Sequence, residues 1–335
     1  QDSTAELTCK DCPAGRYQNE DGATGCIDCP AGKAKGAGVA APLGGMMGSQ
    51  CENCTVGQYQ DSTAQLTCKD CAAGRYQNEN GATDCIDCPA GKAKSAAVGM
   101  IGGACDTCEA GYYQEESGKS TCKECPAGFY QNDEESSNCK ECPAGKSNSW
   151  TAGTDINDCY DCESGQYQGS PGMSSCESCG TGQSQPNDGQ TTCVECVVGK
   201  SAPSTGFKEC MDCTFGKYND DIGQINCKPC LAGKFGDSLG GSIELDTCKD
   251  CPDGFYQSTQ ASIECTACAN GKYGDAVQQT SISSCKDCVK GRYLDQAGQS
   301  ICKDCLAGQF GDVEGATKDS QCEKCPTGQN QDTLG

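Results

Sequence analysis

The pattern Cys9-Lys10-Asp11-Cys12-Pro13-Ala14-Gly15-Arg16-Tyr17, in general form C-x-x-C-x-x-G-x-aromatic, recurs along the whole chain. All 36 cysteines fall into 18 C-x-x-C pairs, and a glycine stands third after the second cysteine in every one. A Tyr or Phe follows two residues later in 12 of the 18. Between first cysteines the spacings run 17, 25, 17, 17, 20, 17, 17, 20, then 17 four times, then 21, 17, 20, 17, 20. A 17-residue unit with occasional insertions accounts for all of them. A short period of this kind describes a linear array in which each unit leans mainly on its neighbours.

Composition explains why cysteine must hold such units together. Leu, Ile, Val and Phe make up about a tenth of the residues, and the net charge is −22. A chain of that makeup cannot offset backbone ordering, at roughly 1–2 kcal/mol per residue, by burying apolar surface. Disulfides reduce the entropy of the unfolded chain instead, by about 3 kcal/mol for a loop of this size in the chain-entropy account. They place the protein in an oxidising compartment, secreted or at the cell surface. The acidic excess argues against nucleic acid, which is held through Lys and Arg. No stretch is long and apolar enough for direct membrane insertion; the least polar one, 36–48, is short and rich in Gly and Ala. Gln1 is consistent with a removed leader, and Cys325-Pro326-Thr327-Gly328 opens a repeat that does not close, so the chain reads as part of something longer.

Two regimes are expected within one array. Over residues 1–212, units 1–11 and the start of unit 12, every third unit (2, 5, 8 and 11) loses its aromatic, as at Gly32-Lys33-Ala34 and Gly145-Lys146-Ser147. Over 213–335, units 12–18, insertions alternate, as in Lys234-Phe235-Gly236-Asp237. Residues 2–35 match 61–94 at all but four positions, a recent duplication. Gly, Asn and Asp are dense and no helical apolar period is visible, so each unit is expected to form one short β-hairpin or loop. Its glycine supplies a positive φ or room for the neighbouring disulfide, and its aromatic packs over that disulfide. The fold class is a small disulfide-rich repeat, an elongated solenoid or rod of about 18 such units with little regular secondary structure and no large hydrophobic core.

Three chemistries use C-x-x-C. A redox motif needs one reactive pair beside a βαβ pattern, which is missing. Zinc is a closer competitor, because paired C-x2-C motifs at mid-teens spacing are zinc-ribbon spacing. Against it stand an even register with no longer gap between alternate pairs, the absence of histidine and the absence of a basic surface. Disulfides are the reading kept, with no cofactor. Calcium has weak support, since acidic clusters such as Asn19-Glu20-Asp21-Gly22 and Asn132-Asp133-Glu134-Glu135 match no twelve-residue calcium loop. An Asp or Glu stands immediately before the second cysteine in 12 of 18 pairs, read as a solvated stripe. No histidine is available for nucleophile activation, and no catalytic constellation is present, so an enzyme is not expected.

These motifs resemble the ephrin-receptor-like cysteine-rich repeat, and the small disulfide modules of tumour necrosis factor receptors. The resemblance implies bonds from the second cysteine of one pair to the first of the next: Cys12–Cys26, Cys29–Cys51, Cys54–Cys68, Cys71–Cys85, and so on to Cys305–Cys322. The receptors interleave such loops with crossed modules, whereas one type repeats here, so a crossed pairing (Cys9–Cys26 with Cys12–Cys29) stays open. The ladder leaves Cys9 and Cys325 over, candidates for bonds to a further segment or another copy. Insertion residues Leu43, Met46, Met47, Met100 and Ile101, with the loop of Trp150 and Ile156, are expected to make assembly contacts. Asn53-Cys54-Thr55 is one N-glycosylation sequon, and O-glycans on Ser and Thr are compatible with the loops. The expected function is a structural subunit of a self-associating fibre or surface appendage; the alternative is the ligand-binding or adhesion stalk of a receptor ectodomain.

Overall fold

The structure is a computed structural model, and it describes residues 11–36, 50–95 and 103–332. Two compact units are distinguished. The first takes the described residues up to Tyr160 with Ser170–Ser175, the second Asp161–Gly169 with the described residues from Cys176 onward. Both are built from the small disulfide-rich hairpin repeat that the cysteine spacing implies.

The repeat starting at Cys196 shows the pattern. Val197-Val198-Gly199 turns the chain, with the Lys200 N–H donating to the Val197 carbonyl at 3.1 Å. Lys200–Ser201 then pairs antiparallel with Met211–Asp212, in the register Lys200↔Asp212 and Ser201↔Met211. The disulfide Cys196–Cys210 closes the hairpin. Two-residue strands cannot be stable alone, and the bonds to neighbouring units supply what they lack. Gly199 N–H donates to Asn219 O in the next unit at 2.8 Å, and Gly240 N–H, two units on, reaches back to Cys213 O at 2.9 Å. Equivalent bonds recur along both compact units, for example Gly57 to Gln77 and Gly81 to Cys54.

Among the described residues there are seventeen disulfides, and each joins the second cysteine of one pair to the first of the next, from Cys12–Cys26 to Cys305–Cys322. Their Cα–Cα distances of 5.4–5.9 Å are those of unforced cystines. Cystine sulfur is also most of the interior: Cys29, Cys88, Cys125, Cys142 and Cys179 are wholly buried. The aromatics pack on the disulfide of the following unit, Tyr218 against Cys230–Cys248 and Tyr273 beside Cys288–Cys302. Most stay half-exposed. Where serine replaces the aromatic, the contact keeps its place: the Ser184 hydroxyl lies 3.2 Å from Cys210 Sγ and the Ser201 hydroxyl 3.4 Å from Cys227 Sγ.

The side chains buried behind the aromatics are amides, which the sequence reading did not single out. Among the largest wholly buried residues are Gln60, Gln114, Gln131, Asn148 and Asn219. Gln114 shows why a polar residue suits this place. Its backbone binds both neighbouring units, accepting from Gly91 N–H at 2.8 Å and donating to Ser136 O at 3.0 Å. Its side chain spans its own loop, donating from Nε2 to Thr121 O at 2.8 Å and accepting at Oε1 from Glu116 N–H at 3.1 Å. Gln77, Gln131, Gln185 and Gln257 repeat the arrangement. Asn219 is one methylene shorter and reaches back to Lys200 O instead, leaving its buried Oδ1 without a partner. Gln114→Ala strands Thr121 O and Glu116 N–H, at a cost of about 1–3 kcal/mol. Hydrogen exchange should then quicken over 115–121 while the cystines stay intact; unchanged exchange would show that the amide is mere filler.

Insertions take a form that the expected loops did not include. Ile156–Asp158, Glu244–Thr247, Ile282–Ser284 and Asp319–Gln321 are single helical turns, each ending at the first cysteine of a pair. One turn is too short to leave an apolar period. Asp155 caps the first by accepting from Asn157 N–H, and Ser281 caps the third from Ser283 N–H.

Candidate functional surface

The repeat glycine controls how closely units approach. Gly199 has φ of +82°, and a β-carbon there would lie 2.4 Å from Gly240 O, two units further on. At Gly15, Gly32, Gly74, Gly128 and Gly182 the same construction gives 2.1–2.2 Å to the corresponding carbonyl. The space that glycine leaves is therefore filled by a backbone carbonyl two units away, and not by the neighbouring disulfide. The loop tips also have positive φ but face no backbone carbonyl: a β-carbon on Gly206 would meet nothing nearer than 3.8 Å, and one on Gly189 or Gly298 would meet the side chain of Asp161 or Phe255. Ala64, Glu135, Ala152, Ala261 and Gln278 occupy that tip in other units.

The outer face of the hairpins carries ordered charge. The acidic residue before the second cysteine is exposed, but it stands opposite the first strand residue and is often paired with it. Arg16–Asp28 (2.7 Å), Arg75–Asp87 (2.8 Å), Lys200–Asp212 (2.8 Å), Lys272–Asp287 (2.7 Å) and Arg292–Asp304 (2.7 Å) are such pairs. A freely solvated stripe is thus replaced by cross-strand ion pairs that favour the observed register; exposed pairs contribute little stability. Lysines of the second strand lie over the aromatics, Lys69 on Tyr59 at 5.7 Å and Lys123 on Tyr113 at 6.0 Å. Lys69 also holds the Asp61 carboxyl below its ordinary value through a hydrogen bond, as Lys303 does for Asp295.

The structure describes only some of the residues singled out from sequence. Cys9, Leu43, Met46, Met47, Met100 and Ile101 lie outside the described residues. The Trp150 side chain is exposed while its backbone N–H donates to Asn148 Oδ1 at 3.0 Å, and Ile156 is exposed on a helical turn. Asn53 is an exposed strand residue beside the Cys54–Cys68 disulfide. In the acidic cluster at 132–135, Lys140 binds Asn132 Oδ1 at 2.5 Å and Asp133 at 2.6 Å, and Lys92 pairs with Glu135 at 3.0 Å. Three or more metal-ligating side chains do not gather anywhere among the described residues. Cys325, a half-buried thiol, borders an open hollow of about 450 Å³ formed with Leu306, Gly308, Lys324 and Gln331.

Hairpin, glycine and cystine ladder thus repeat as one module, and comparison with family models matches that module. Seven segments, 2–37, 62–97, 100–129, 118–159, 199–244, 241–285 and 274–322, match the family described as tyrosine-protein kinase ephrin type A/B receptor-like. Together they cover well over half of the sequence. The chain belongs to the ephrin-receptor-like family. No curated protein matches it. As an ephrin-receptor-like repeat chain it is an extracellular or cell-surface segment resembling receptor ectodomains, which points to a non-enzymatic role. Among the described residues no helix is long and apolar enough to cross a membrane.

Proposed function

We propose that this chain is the stalk of a cell-surface receptor or adhesion ectodomain, spacing a partner-binding surface from the membrane. The observation that carries the reading is the receptor-like family match recurring along the chain. The fibre subunit expected from the repetition has less support. Contacts of each unit with the next two, such as Gly199 with Asn219 and Gly240, account for the periodicity inside a single chain. Protease shaving of intact cells tests the stalk reading, followed by immunogold labelling with an antibody to the chain. Release of the chain by protease together with scattered single labels on the cell surface is expected. Labels confined to filaments of constant diameter would return the reading to a fibre.

A further inference from the structure

One run of three consecutive units carries a large apolar residue in the turn that precedes the repeat glycine. Most other turns are small, rigid or polar, as in Pro126-Ala127, Pro143-Ala144 and Glu163-Ser164, and Thr55-Val56, Val289-Lys290 and Leu306-Ala307 carry one such residue outside a run of three. In units 11, 12 and 13 the turn reads Val197-Val198, Thr214-Phe215 and Leu231-Ala232. Stacking brings further apolar residues up to it. Gly199, next to Val198, lies against the Gly240 carbonyl, next to Leu239; Gly216, next to Phe215, lies against Ala261 and Ser262, followed by Ile263. Val197, Val198, Phe215, Leu231, Leu239 and Ile263 are 42–61% exposed. Repetition alone does not require them, since other units stack through the same glycine contact without large apolar residues at the turn.

We propose that this seam on units 11–13 docks a protein whose contact surface has an apolar centre and a basic rim. This deepens the stalk reading by placing its partner site on the flank of the repeats. Apolar residues clustered on an acidic surface are typical of contact sites. Charge selects the kind of partner. Glu195 and Asp212 immediately precede the cysteines that lead into the Val197-Val198 and Thr214-Phe215 turns. Asp212 is paired with Lys200, whereas Glu195 faces Gln183 across its hairpin with no cation paired to it among the described residues. A second copy of a chain at −22 would be repelled, while a basic surface would be steered in.

The test uses the full oxidised chain and three synthetic peptides of equal length, composed of Leu and Lys, Ser and Lys, or Leu and Glu. Binding is measured by calorimetry on the natural chain and on the triple variant Val198→Ser, Phe215→Ser, Leu239→Ser. The Leu/Lys peptide should bind at least tenfold more tightly than either other peptide, and the triple variant should lose that preference. The replaced side chains are exposed, so non-reducing peptide maps should still show Cys196–Cys210 and Cys213–Cys227. Equal binding of the Ser/Lys peptide would overturn the proposal in favour of general charge attraction, as would unchanged Leu/Lys binding by the variant. Concentration-dependent dimerisation abolished by the triple variant would overturn it in favour of a second copy. None of these results bears on whether the chain stands at the cell surface, which the shaving experiment reads separately.

Discussion

Reduction of the seventeen disulfides should turn the folded chain into a coil in a single treatment, with loss of near-ultraviolet circular dichroism and an increased radius of gyration. The interior leaves little else to hold it: wholly buried half-cystines such as Cys29, Cys88 and Cys125 make most of it, with amides, a few small residues and single larger side chains, Tyr218 and Leu294, around them. Buried amides specify a geometry but have little apolar surface to drive collapse. A chelator should leave the signal unchanged. Structure that survives the reductant, or is lost to the chelator alone, would contradict a cystine interior. Removing one bond is a graded version of the experiment. Cys179→Ser with Cys193→Ser opens a 14-residue separation, worth about 3 kcal/mol in the chain-entropy account. Exchange should quicken at the Gly206 amide, which donates to Cys179 O, and stay unchanged in the first compact unit.

The second large effect is expected from one methyl group. Gly199→Ala places a β-carbon where 2.4 Å separates it from Gly240 O, at φ of +82°. The left-handed conformation alone costs a non-glycine residue about 1–2 kcal/mol, and the clash is with backbone, which cannot rotate away. Units 11 and 13 must separate, breaking the bond from Gly240 N–H to Cys213 O. Gly206→Ala is the matched control: its φ is +78°, but the nearest atom stands 3.8 Å away, and alanine already occupies that tip at Ala64, Ala152 and Ala261. Limited proteolysis of the oxidised proteins should cut the Gly199 variant rapidly within 196–241 and the Gly206 variant about as slowly as the natural chain. Equal resistance of both would refute the steric account.

Those two glycines mark the limit of what could be read from sequence. The hairpin repeat was legible because cysteine, glycine and aromatic recur at fixed spacing, and spacing is a local property. That Gly199 meets Gly240 was not, because the two stand 41 positions apart with a second loop between them and nothing in the spacing reports which units touch. The ion pairs needed the hairpin register, which places Arg75 opposite Asp87; without it the acidic residues look like a solvated stripe. The amide of Gln114 was passed over because a glutamine between Tyr113 and Glu115 looks like surface, although a Gln after the aromatic recurs in many units and was the signal available. The apolar seam was hidden for another reason: Val197, Phe215 and Leu231 are unremarkable singly, and become a surface only when consecutive units are stacked.

The helical turns all lie on the same side of the loop tip, and that placement separates two properties of the unit. The tip is bonded at a constant distance after the second cysteine, as at Ala152 after Cys142 and Gly240 after Cys230, and the extra residues come between it and the following cysteine. Loop length can therefore drift by several residues while the stacking contacts stay as they are. Such a chain can vary its outline unit by unit through insertions and deletions, and new surface chemistry can be tried on one loop without retuning its neighbours.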